Sequence, residues 1–254
     1  MSEKTSAIPL PPLVAHRGES VLLPENTLPA LALGWKNKVF AVEVDVHLSS
    51  DRRMVVSHDG NFRRTAGLDR EIVQMTWDEI SKVDVGAWKG SEFRGVRPPL
   101  LDEVFAIMPQ DGKLYLEIKS PDPEFPELLA DLMDRYSVRP DQIIAISFHG
   151  ESLKILKSVL PEVRRSLLFW DSLKDKTAEE MMELAHSFDC MEVSGGPNSH
   201  FDEEYVRTMH DAGMKVHVWT IDDVPNAHRF ALAGVDTITT NRAAWLRSHW
   251  GDVC

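Results

Sequence analysis

Eight short apolar runs, each followed by a helical pattern, in a chain of 254 residues predict an α/β fold closed into a (β/α)8 (TIM) barrel. The runs fall at 13–16, 41–47, 113–119, 143–148, 165–169, 191–194, 215–220 and 235–239. Their partner helices are expected at 27–36, 101–107, 125–136, 152–160, 177–188, 202–212, 224–233 and 243–250. Asn26-Thr27 is placed to cap the first helix, Pro161 to halt the fourth, and Gly213 and Gly234 to stop the sixth and seventh. The irregular stretch is 49–99, far longer than an ordinary connection from strand to helix. It carries the strand-like Met54-Val55-Val56-Ser57, a short helical pattern at 77–82 and a Gly-rich piece at 86–95. It reads as a small subdomain inserted after strand 2, over the barrel mouth, within a single domain of 1–254.

Hydrophobic residues make up 43% of the chain and charged residues 27%, enough apolar side chain for a sizeable core and too much for disorder. The formal net charge of −12 argues against nucleic acid as a partner and against broad attraction to anionic membranes, so an anionic ligand needs a local basic patch. Two cysteines, Cys190 and Cys254, are too few for a disulfide framework or a zinc site. Met1-Ser2-Glu3-Lys4 leads into Pro9, Pro11 and Pro12 without an apolar leader, and nothing approaches the ~18 apolar residues of a membrane span. The expectation is a cytoplasmic protein without stable membrane insertion; the sequence specifies no oligomeric state.

The chemistry lies in two stretches and their echoes. A strand alternates its faces, so in Val42-Glu43-Val44-Asp45-Val46 the two carboxylates share one face and the valines the other. Leu116-Glu117-Ile118-Lys119 repeats the device. Three carboxylates at strand ends about 4 Å apart repel by roughly 4 kcal/mol per pair at an effective dielectric of 20, so a cation or protonation must relieve them. An all-oxygen set, Glu43, Asp45 and Glu117, suits Mg2+ or Ca2+ rather than zinc. Arg17 and Lys119 supply charge-assisted hydrogen bonds to a phosphoryl oxygen. His16, ending strand 1, and His58, in Ser57-His58-Asp59, form an acid–base pair whose division of labour the sequence leaves open. Trp219 is a candidate wall for the organic part of the substrate. His47 shares the face of Asp45, and Leu22, Leu23, Phe62, Trp88 and Phe93 either rim the mouth or pack the insertion. The bland reading of Lys119 is a counter-ion to Glu117.

His16-Arg17-Gly18 with Pro24-Glu25-Asn26-Thr27, Glu43-x-Asp45, His58-Asp59, Phe62-Arg63-Arg64-Thr65, the Leu101 to Val104 stretch, Leu116-Glu117-Ile118-Lys119, Ser147-Phe148, Trp219-Thr220 and Gly234-Val235-Asp236 occur in an order and spacing that resembles the glycerophosphodiester phosphodiesterase family. The resemblance implies a TIM barrel with an insertion after strand 2, a metal on Glu43, Asp45 and Glu117, and His16 and His58 in acid–base roles. It also implies a glycerophosphodiester substrate, split to glycerol 3-phosphate and an alcohol. Ser49, Arg52 and Leu100 depart from residues common in the family, and Thr240-Asn241-Arg242 lacks the usual proline. These departures are expected to stand clear of the metal and proton-transfer groups. Two alternatives are a phospholipase D-like activity on lysophospholipids or sphingolipids, which would call for an exposed apolar groove, and a non-catalytic phosphoester-binding barrel, which would call for loss of a key residue.

Overall fold

The computed structural model describes residues 8–252; the readings on residues 1–4 and on Cys254 lie outside them. In chain order the strands are β1 Leu13–Ala15, β2 Ala41–Leu48, β3 Met54–Val56, β4 Asn61–Phe62, β5 Leu68–Glu71, β6 Leu114–Ile118, β7 Ile143–Ser147, β8 Arg164–Phe169, β9 Glu192–Gly195, β10 Lys215–Val218 and β11 Thr237–Thr240. The helices are α1 Leu28–Lys36, α2 Arg63–Ala66, α3 Trp77–Ile80, α4 Leu101–Ile107, α5 Phe125–Tyr136, α6 Gly150–Val159, α7 Ala178–Ser187, α8 Glu203–Asp211, α9 Val224–Ala233 and α10 Ala243–Ser248. Strands β1, β2, β6, β7, β8, β9, β10 and β11 pair in parallel, each with the next, and β1 also pairs with β11, so the sheet closes as the (β/α)8 barrel expected.

Alternation along each strand builds two cores. Outward residues such as Val42, Val44, Val46, Leu116 and Ile118 pack with helix residues such as Leu31, Val104 and Leu129 in one continuous cluster. Inward residues Val14, Ala41, Tyr115, Ile144, Ile146 and Leu168 fill the barrel. Each buried Val, Leu or Ile side chain contributes about 1.5–3 kcal/mol relative to exposure. Lower in the barrel a polar plug joins β8, β9, β10 and β11: His217 lies 3.0 Å from Glu192 and 2.9 Å from the Thr237 hydroxyl, and Arg164 donates to Glu192 at 2.6 Å.

Segment 49–99 adds β3 antiparallel to β2 and packs Val55, Phe62, Ile72, Met75, Ile80 and Val85 with the adjoining Leu100 into a second small core. The expected strand and helix are there, but so is a hairpin of β4 and β5 with α2 at its turn. Arg52, where the family commonly has Gly, sits at φ 62, the left-handed region a glycine enters without cost. Phe62 belongs to this core, whereas Leu22 and Trp88 are exposed.

Two helix-end readings are corrected. Thr27 occupies the N-cap of α1, but its hydroxyl donates back to the Pro24 carbonyl at 2.6 Å and does not cap the helix. The Asn26 side chain turns instead to Asp45. Gly213 and Gly234 do end their helices, at φ 76 and 88.

Candidate active site

The strand period brings the three carboxylates together as expected. Asp45 on β2 is in register with Glu117 on β6, Glu43 lies two residues back on the same inward face, and one oxygen of each lies within 4.8 Å of the others. All three are buried. Two cations and one amide reach into the cluster. Arg17 donates its backbone N–H to Glu43 Oε2 at 2.8 Å, and its Nε lies 3.3 Å from Asp45 Oδ2. Lys119 Nζ lies 2.8 Å from Glu117 Oε1 and 3.2 Å from Asp45 Oδ1, and Asn26 Nδ2 donates to Asp45 Oδ2 at 2.7 Å.

Local backbone geometry makes these contacts possible. Arg17 and Asn26 both take φ 55, and the Asn26 N–H donates to the Arg17 carbonyl at 3.0 Å, folding the loop after β1 back over the barrel mouth. Gly18, at φ 81, lies so close to α1 that a Cβ would stand 2.4 Å from the Ala30 carbonyl carbon, so only glycine fits the third position of His16-Arg17-Gly18.

The cluster carries more acid than its cations neutralise. Burial opposes charge on Asp45, yet Arg17 and Lys119 outweigh it and hold this carboxyl far below the usual range. Burial, then the charge on Asp45, raises Glu43 well above its ordinary value. The same two causes push Glu117 up to about 8 despite Lys119. Asp45 Oδ1 is buried and faces only the Lys119 ammonium, at 3.2 Å. Three buried carboxyls with an oxygen of each within 4.8 Å, two of them forced toward protonation, fit a hard divalent cation.

The two histidines have different partners. His16 Nδ1 lies 2.7 Å from Asn241 Oδ1. Both oxygens of Asp222 are spent on this loop, Oδ2 accepting from Asn241 Nδ2 at 2.6 Å and Oδ1 from the Asn241 N–H and the Thr240 hydroxyl at 2.8 Å each. The amide is thereby oriented with its oxygen toward His16, which fixes the proton on Nδ1 and the lone pair on Nε2. Burial and the neighbouring Arg17 lower the His16 pKa to about 4. His58 Nδ1 instead donates to a carboxylate, Asp59 Oδ1, at 2.7 Å, and Asp59 Oδ2 accepts from Arg64 Nε at 2.8 Å. Burial lowers His58 too, with Asp45 and Asp59 opposing. The expectation that the segment Thr240-Asn241-Arg242 stands clear of the proton-transfer groups is corrected, because Asn241 bonds one of them.

A cavity of about 350 Å3 opens between these groups and an aromatic wall. Its lining includes the polar His16, Arg17, Glu43, Glu117, Lys119 and His58 together with the aromatic Phe148, Trp170 and Trp219. Trp219 donates its indole N–H to the Ser194 carbonyl at 3.0 Å, which leaves its faces as apolar wall. All eight residues singled out in the sequence thus converge: seven line the cavity and Asp45 lies beneath it. His47 lines it as well, 3.2 Å from the His58 carbonyl. Sequence reasoning missed Asn241 and Asp222, which act through loops without a strand period, and Trp170, which follows an apolar run and reads as core.

The model of the Glycerophosphoryl diester phosphodiesterase family matches residues 16–244, from His16 to the start of α10. A glycerophosphodiester phosphodiesterase of Caldanaerobacter subterraneus is 31% identical over 233 residues, covering 90% of this chain and 93% of that protein. One of Bacillus subtilis is 28% identical over 248 residues, covering 90% and 82%. Among solved structures, an Oleispira antarctica phosphodiesterase in complex with the product sn-glycerol-3-phosphate superposes with a TM-score of 0.84 at 28% identity, covering 94% of this chain and 96% of that one. Since the family match runs from the end of β1 to the start of α10 and takes in the whole site, this chain belongs to the glycerophosphoryl diester phosphodiesterase family and is an enzyme of the phosphoric diester hydrolase class.

Proposed function

We propose that the chain hydrolyses glycerophosphodiesters to glycerol 3-phosphate and an alcohol, with a divalent cation on Glu43, Asp45 and Glu117 and with His16 and His58 moving the protons. The observation that carries this reading is a buried carboxylate triad and two differently partnered histidines opening on one cavity. When bound, Mg2+ or Ca2+ would supply positive charge against the phosphoryl oxygens. Arg17 and Lys119 orient the phosphodiester and stabilise charge that grows on its non-bridging oxygens. His16 is the base: a neutral amide at Nδ1 gives its cation no support, so Nε2 stays free to take the proton of the attacking oxygen. His58 is the acid, because the Asp59 carboxylate at Nδ1 stabilises the imidazolium that donates to the leaving alkoxide.

We read the protein as cytoplasmic and as one domain in which the insertion at 49–99 serves the site by delivering His58. Among the described residues no helix is long and apolar enough to cross a membrane. The test of the reading is product identity from a panel of glycerophosphodiesters. Glycerol 3-phosphate with a free alcohol is expected; glycerol with a phosphorylated alcohol, or no turnover, would overturn it.

Two further results are expected. Lys119→Met keeps the length of the side chain and removes its charge, so kcat/KM should fall roughly 10²-fold with little change in melting temperature. Since Lys119 touches both Glu117 and Asp45, a purely structural counter-ion predicts the reverse, marked destabilisation with near-normal turnover. The second result concerns pH. A carboxyl whose folded pKa is raised, like Glu117 from 4.5 to about 8, stabilises the fold below the unfolded value and loses that contribution as pH climbs through about 8. Metal-free protein should therefore lose stability between about pH 5 and 8, and added Mg2+ or Ca2+ should restore it most at the upper end, because the ion displaces protons. Thermal melts with and without the ion check this; an ion-induced shift independent of pH would contradict it.

A further inference from the structure

The aromatic wall has a geometry that goes beyond a plain apolar surface. Phe148 and Trp170 stack with ring centroids 4.4 Å apart and planes 8° from parallel. Trp219 stands almost perpendicular to both, at 83° and 79°, with centroids 5.5 and 5.1 Å away. The three rings follow β7, β8 and β10, and share the cavity with the carboxylates of β2 and β6 and with the histidines that follow β1 and β3. Trp170 is 59% exposed although it lines the cavity, so a large ring is held at the mouth with most of its surface uncovered.

We propose that Trp170, with Trp219 and Phe148, forms the subsite for the alcohol arm and selects a quaternary ammonium headgroup, making a choline diester the preferred substrate. The inference rests on the phosphodiesterase reading above and names the substrate within it. Ring faces carry the negative part of the aromatic quadrupole, and while Phe148 stacks on one side of Trp170 and Trp219 packs edge-on against the pair, the exposed part of the Trp170 ring stays open to a cation. A trimethylammonium group is weakly hydrated and donates no hydrogen bonds, so rings alone satisfy it. A primary ammonium needs hydrogen-bond acceptors, which the rings themselves do not offer. The cations lining the cavity, Arg17 and Lys119, are both paired with the buried carboxylates, so neither is left unpaired to repel a cationic arm. A cavity of about 350 Å3 suits a small headgroup and lies near the lower end of small-molecule pockets, short of a long acyl chain.

The test pairs binding with turnover. Calorimetry compares choline with 3,3-dimethylbutan-1-ol, its uncharged isostere, on the wild type and on Trp170→Leu. Choline is expected to bind at least about 10-fold more tightly than the isostere in the wild type and to lose that advantage in Trp170→Leu. In turnover, the ratio of kcat/KM for glycerophosphocholine over glycerophosphoethanolamine is expected at about 10 or more, collapsing toward 1 in the variant. Equal binding of choline and its isostere, or a preference that survives in a folded Trp170→Leu, would overturn the proposal. If no diester is turned over, the enzymatic reading fails, and the calorimetry still decides whether the aromatic corner binds a quaternary ammonium.

Discussion

Asp45→Asn is expected to lower kcat/KM by about 10³-fold or more, the upper range for losing one preorganised electrostatic element. Asp45 is the most connected group in the site, touching Arg17, Lys119 and Asn26 and lying in register with Glu117. Its removal should destabilise the fold by less than the about 3–5 kcal/mol typical of orphaning a buried charge, because Arg17 keeps Glu25 and Lys119 keeps Glu117. Glu43→Gln and Glu117→Gln should behave differently. Both carboxyls are already driven toward the neutral form, so an isosteric amide should leave metal-free stability unchanged or higher. The same variants should lose activity and most of the melting-temperature rise on adding Mg2+ or Ca2+. A set of structural ion pairs predicts the opposite, with lower metal-free stability and an intact response to the ion.

His16→Ala and His58→Ala should each cost about 10²–10⁴-fold in kcat with the fold preserved. A diester with a p-nitrophenyl leaving group separates them, since that group leaves without a proton. His58→Ala should recover most of its activity on the activated substrate, and His16→Ala should not. Recovery by His16→Ala alone would reverse the assignment of base and acid drawn from Asn241 and Asp59.

Much of this site was legible because a strand period is simple arithmetic. Glu43, Asp45 and Glu117 follow from alternation alone, and the register of β2 with β6 then aligns Asp45 with Glu117. Eight repeating units gave the barrel for the same reason, although most strands end one residue from the expected position and β10 stops two short, at Val218. The hairpin of β4 and β5 escaped because its longer arm, Leu68-Asp69-Arg70-Glu71, is charged and its shorter arm has two residues, which leaves no alternation to read. Asn241 and Asp222 escaped because loop hydrogen bonds, spanning 225 residues from His16 to Asn241, have no local signal. The aromatic corner is assembled from three loops after β7, β8 and β10, and a ring past an apolar run looks the same in sequence whether it is core or wall.

The central claim is tested most directly by turnover of a glycerophosphodiester in protein stripped of divalent metal, followed by addition of Mg2+ or Ca2+. The account predicts that release of glycerol 3-phosphate stops in the stripped protein and returns with the ion. Undiminished release from protein verified to be metal-free would contradict it.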